Sequence, residues 1–143
     1  DEIRIEFSKD VSSFANGAGG TIVYGMVEER QKPTQSDGFD PVKTKKEWLE
    51  DVLHGKIHPK IERLIINPIP LSGSVDGKTA YVISVPQSTT AHQAADKKYY
   101  KRHNFKAEPM EDYEIRDVMN RLKYPRLLPS LTARRVDIKE AIT

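Results

Sequence analysis

SSFANGAGGTIVYGM, residues 12–26, sets three glycines in four positions directly ahead of a hydrophobic run that reads as a strand. Glycine loops that cradle phosphate run strand, loop, helix, so that free N–H groups and the positive end of the helix dipole face the anion. Here the order is helix, glycines, strand. The loop faces a helix's carbonyl end, where an anion is disfavoured, and no Walker-type lysine follows it. Asn16, Gly17, Gly19 and Gly20 therefore read as a helix stop and a tight reversal that lays the strand beside its helix.

Upstream, DEIRIEF (1–7) alternates, with Ile3, Ile5 and Phe7 on one face and Arg4 and Glu6 on the other, which predicts a half-buried strand. Ser8 then caps a helix over 9–16. A single helix from Ile3 to Phe14 also fits, because Ile3, Phe7, Val11 and Phe14 keep helical spacing; the tight β-branched alternation favours strand then helix. Downstream, 21–27 is a strand and 28–40 an exposed loop. Residues 42–54 form a helix ended by Gly55. Residues 61–71 and 78–86 pair as a hairpin, 97–105 is a short strand, and 109–122 is a helix with Tyr113, Ile115, Val118, Met119 and Leu122 inward. The expected class is α+β or α/β, a mixed sheet with helices packed on it, in a single domain over 1–123. Residues 124–143 read as an extension or linker.

With 143 residues the chain can bury a real core. It has no cysteine, which excludes disulfides and thiolate metal sites. No apolar run reaches the roughly 20 residues of a membrane helix, and the opening residues lack a signal-peptide pattern; the expectation is a cytoplasmic protein with no membrane partner. The net charge of +2 conceals an asymmetry: residues 97–143 hold twelve Lys and Arg against seven Asp and Glu. Such a block suits a polyanion. His54 and His58 are spaced for a helical metal site, but Gly55 and Pro59 interrupt the helix; His92 and His103 stand alone, and no Ser-His-Asp arrangement is evident.

KDVSSFANGAGGTIVYGMVEE and KKYYKRHNFKAEPMEDYEI together resemble the two signatures of the Schlafen AlbA-like family (the Schlafen box, formerly divergent AAA), the second being a YYxRxG segment before an acidic helix start. The two motifs lie in the family's order and span most of residues 1–122. Ser8 stands where the family usually has Lys, and Asn104 replaces the Gly of YYxRxG, a residue that tolerates the same turn. The resemblance implies nucleic-acid binding, DNA or RNA, in bacterial members as a module of transcriptional regulators. Contacts fall to Lys97, Lys98, Tyr100, Lys101, Arg102 and Lys106, with Arg121, Lys123 and Arg126 after the last helix. On a strand, Lys98, Tyr100, Arg102 and Asn104 share one face and Tyr99, Lys101, His103 and Phe105 the other. In Schlafen relatives the domain also cleaves RNA with three acids and a divalent metal. That alternative assigns Asp1, Glu6 and Glu28 to a magnesium- or manganese-dependent endoribonuclease, with the metal needed only in that case. A third reading is a homodimerising interaction domain.

Overall fold

The computed structural model describes residues 2–30, 32–72 and 77–121. The opening segment is one helix, α1 (Glu2–Asn16), not a strand followed by a helix. Phe7, Ser8, Val11, Ser12 and Ala15 are buried at helical spacing, whereas Ile3 is 64% exposed. A three-residue alternation makes a strand only when a neighbour takes its N–H and C=O groups; a helix satisfies them internally and carries the stripe on to Ala15. Three buried serines thin this face. Their hydroxyls donate to carbonyls three residues back, Ser8 to Ile5 at 2.8 Å, Ser12 to Lys9 at 3.2 Å and Ser13 to Asp10 at 2.7 Å. The small side chains let later segments approach closely, and the Ala95 amide donates to Ser8 Oγ at 3.0 Å.

The glycine stretch ends α1: the Gly17 amide donates to Ser13 O at 3.1 Å and the Gly19 amide to Phe14 O at 2.8 Å. Gly19 has φ +75, and a Cβ there would lie 2.6 Å from Gln87 N and 2.7 Å from Val85 O. Both atoms are backbone, so nothing yields cheaply. Gly19→Ala is expected to lower stability by about 2 to 4 kcal/mol, combining left-handed strain with the clash; a urea melt within 0.5 kcal/mol of wild type, roughly the effect of an ordinary surface change, would contradict this.

Strand β1 (Gly20–Tyr24) follows and stops short of residue 27. Gly25, at φ +103, breaks it, with Cβ space closed by the Ala80 and Gly38 Cα atoms at 3.1 Å each. The expected loop over 28–40 is largely a hairpin, β2 (Met26–Glu29) and β3 (Lys32–Ser36), with Arg30 at φ +50 in its turn. Neither strand buries a residue, so no hydrophobic pattern announces it. Helix α2 (Lys46–Lys56) starts later than expected and runs through Gly55, its C-cap being Ile57. The hairpin of β4 (Ile65–Pro70) and β5 (Thr79–Val85) forms as expected, antiparallel with Ile66 opposite Ile83. β6 (Tyr100–His103) pairs with β7 (Lys106–Pro109), a strand the sequence did not announce, and α3 (Asp112–Met119) closes the described chain. A capping box between Glu111 and Glu114 sets the start of α3. Of its expected inner residues, Val118 is buried and Ile115 half-buried, Tyr113 and Met119 are exposed, and Leu122 lies outside the described residues.

The α+β class holds, with every strand pair among the described residues antiparallel and the main sheet ordered β1-β5-β4. One core cluster joins Phe7, Val11 and Ala15 of α1, Leu49 and Leu53 of α2, and Tyr81, Ile83 and Val85 of β5. Phe7 meets Tyr24 edge to face with centroids 4.3 Å apart. None of the described helices is long and apolar enough to cross a membrane. The boundary drawn after residue 123 and the extension 124–143 lie outside the described residues.

Candidate nucleic-acid interface

The β6–β7 hairpin turns at Asn104 (φ +52), and the conformation that Gly would adopt freely is here taken by Asn. Its inward face packs on α1. Tyr100 is 5% exposed and its hydroxyl donates to Asp96 Oδ2 at 2.6 Å. Burial, reinforced by that hydrogen bond to a carboxylate, pushes the phenol up to about 12. Tyr100 is thus a core residue and offers no ring for a base to stack on. Two positions along, the Arg102 guanidinium lies 5.1 Å from the Phe14 ring centroid and 3.7 Å from Asp10 Oδ1. Asp10 also accepts from the Tyr24 hydroxyl at 3.2 Å. Burial holds its carboxyl above the ordinary 3.8, opposed by the Tyr24 hydrogen bond and the Arg102 charge.

The outward face is partly neutralised. Lys101 Nζ sits 2.5 Å from Glu114 Oε1, and the capping box that starts α3 holds Glu114 there. The Lys101 ammonium keeps the Glu114 carboxyl below its usual range. His103 Nδ1 lies 3.4 Å from Glu108 Oε2. Arg121 spends its guanidinium on main chain, donating through Nη1 to Ser88 O at 2.8 Å and through Nη2 to Asn16 O. It clasps the end of α1 to the segment after β5, and burial lowers its pKa. Lys97, Lys98 and Lys106 are exposed and form no ion pair with another described residue. Lys123 and Arg126 lie outside the described residues.

Of the acids expected at a metal centre, Glu6 lies on a helix and not on the strand expected for it. Asp1 is outside the described residues, Glu6 is on α1 with Lys9 Nζ 3.3 Å away, and Glu28 is exposed on β2. Among the described residues no group of three or more His, Asp or Glu is placed to hold a metal ion.

What the fold does assemble is an open groove between its two small hairpins. A cavity of about 410 Å³ is lined by Val23, Met26, Glu28 and Pro33 from the β1–β3 segment and by Arg102 and Phe105 from the β6–β7 hairpin. A second recess of about 350 Å³ shares Arg102, Met26 and Glu28 and reaches Asp10 and Phe14 on α1. Phe105 is 63% exposed at the β6–β7 turn. Lys106 flanks it, and Arg30 and Lys32 sit exposed around the turn of the other hairpin. Arg30 and Lys32 escaped the sequence reading because their segment carries no apolar period; their placement depends on β3 folding back on β2.

A family model described as Schlafen, AlbA_2 matches residues 1–111. No curated protein matches the chain. Among solved structures, the DIP2311 protein from Corynebacterium diphtheriae aligns with a TM-score of 0.59 at 17% sequence identity. The alignment covers 83% of this chain and 22% of that one, so the likeness is one of fold over a part of a longer protein. The match takes in the first signature whole and the second through Glu111, and it covers well over half of the chain: the chain belongs to the Schlafen AlbA_2 family.

Proposed function

We propose that the chain is a nucleic-acid-binding module, of the kind that serves a DNA-binding regulator, whose contact surface is the groove between the two hairpins. The observation that carries this reading is the exposed Phe105 ring lining one cavity with Arg102, between turns that bear Lys106, Arg30 and Lys32. Phosphates are met by the exposed cations, including Lys97 and Lys98, and a base stacks on Phe105. Arg102, braced by Asp10 and Phe14, presents a fixed edge rather than a free charge. Lys101 and Arg121 serve the fold. Contacts to phosphate carry no sequence information and stacking is sequence-tolerant, so recognition is weakly sequence-specific.

Fluorescence anisotropy with a labelled oligonucleotide across a salt series tests this. Log affinity should fall linearly with log salt, by about 0.7 to 0.9 in slope per phosphate neutralised. Replacing Lys97, Lys98 and Lys106 together by Gln should flatten the slope by about 2 to 3. Affinity indifferent to salt, or a slope unchanged in the triple variant, overturns this surface.

A further inference from the structure

On the side of the molecule where the segment after β5 meets residues 59–63, His92 is 1% exposed with both ring nitrogens engaged. Nδ1 lies 2.6 Å from the Pro59 carbonyl oxygen and Nε2 2.6 Å from Ser88 Oγ. A carbonyl can only accept, so Nδ1 carries the proton. Nε2 therefore presents its lone pair, and the Ser88 hydroxyl donates to it. Burial lowers the His92 pKa below 6.5, which favours the neutral ring at pH 7. The orientation is held from a third direction: the His92 amide donates to Asn16 Oδ1 at 2.7 Å, fixing the backbone that carries the ring.

This is the order of groups found in activated serines: a hydroxyl, a base that takes its proton, and an acceptor that fixes the base's tautomer. Ser88 and His92 both line a cavity of about 210 Å³, with Lys60, Glu62 and Arg63 also in its lining. Arg63 holds φ +58, a conformation uncommon outside glycine that gathers at functional sites. With Glu62 in the same lining the three charges sum to one net positive, which suits a small ligand with a single negative charge.

We propose that Ser88 is a nucleophile activated by His92, with the Pro59 carbonyl as orienting group, acting on small anionic carboxylic esters. Ser88 Oγ bonds to the ester carbonyl carbon as its proton passes to His92 Nε2. The bond from that carbon to the leaving oxygen breaks, and the leaving alcohol takes the proton from Nε2. A water molecule, deprotonated by the same nitrogen, then releases the acid and restores the serine. A neutral carbonyl stabilises the transient imidazolium less than a carboxylate does, so both acylation and deacylation are slower than with a carboxylate partner.

The test treats the full chain with a fluorophosphonate and, separately, with mono-p-nitrophenyl succinate, and locates adducts by peptide mass spectrometry. Ser88 should be modified about 100-fold faster than Ser84, an exposed serine on β5 with no base beside it. The rate should rise with pH through an inflection below 6.5, where His92 loses its proton. Ser88→Ala should abolish the adduct while the melting transition persists, and Lys60→Ala should slow the succinate ester more than the neutral p-nitrophenyl acetate. A natively melting protein with no adduct at Ser88, equal labelling of Ser84, or a rate without that inflection overturns the proposal and leaves Ser88 and His92 as a structural clasp.

Discussion

Asn16→Asp should lower stability by about 3 to 5 kcal/mol, a large share of the roughly 5 to 15 kcal/mol that holds an ordinary domain together. The Asn16 side chain, 2% exposed, donates through Nδ2 to the His92 carbonyl at 3.0 Å and to the Tyr100 carbonyl at 2.9 Å, and accepts from the His92 amide at 2.7 Å. It thereby joins the end of α1 to the segment before β6 and to β6 itself. The substitution preserves shape, so packing contributes little. A carboxylate has no hydrogen to donate, and it would set its charge against two carbonyl oxygens in a buried site. Chemical denaturation at pH 7 measures the effect; a loss under 1 kcal/mol, within the range of a single ordinary hydrogen bond, would show that the clasp is not what ties α1 to β6.

Phe105→Ala should weaken single-stranded oligonucleotide binding by about 1 to 3 kcal/mol, roughly 5- to 150-fold, the range for one stacked base. Because the ring is 63% exposed, its removal should leave the melting transition nearly unmoved. Phe105→Trp keeps a stacking face and should retain affinity. Anisotropy titrations at one fixed salt concentration separate this contribution from that of the lysines. Equal affinity in the wild type and the Ala variant would remove the stacking role and leave only phosphate contact in the groove.

Much of the local framework was legible. The helix stop and reversal at Gly17 and Gly19, the β4–β5 hairpin and the turn tolerated by Asn104 each depend on residues adjacent in the chain, whose φ preferences and alternation act wherever they stand. The α1 reading failed at Ile3 and Ile5 for a physical reason: Ile3 and Phe7 satisfy both periods, and among the described residues no neighbouring strand pairs with the segment to favour the alternation that includes Ile5. The β2–β3 hairpin was invisible because it buries nothing, leaving no pattern for a period to reveal.

The basic segment shows the division most sharply. From sequence, Lys98, Lys101, Arg102 and Arg121 are equivalent cations. In the fold, Lys101 is claimed by Glu114, Arg102 by Asp10, and Arg121 by the carbonyls of Ser88 and Asn16, while Lys98 remains exposed. The amino-acid order by itself determined family, class and turns, because these follow from near-neighbour conformational preferences and from motifs of contiguous residues. Which charges are spent, which ring is buried and which serine meets a histidine were settled only in three dimensions. Asn16 and Tyr100, or Pro59 and His92, lie far apart along the chain, and a hydrogen bond of under 3 Å between them exists only once packing has brought them there.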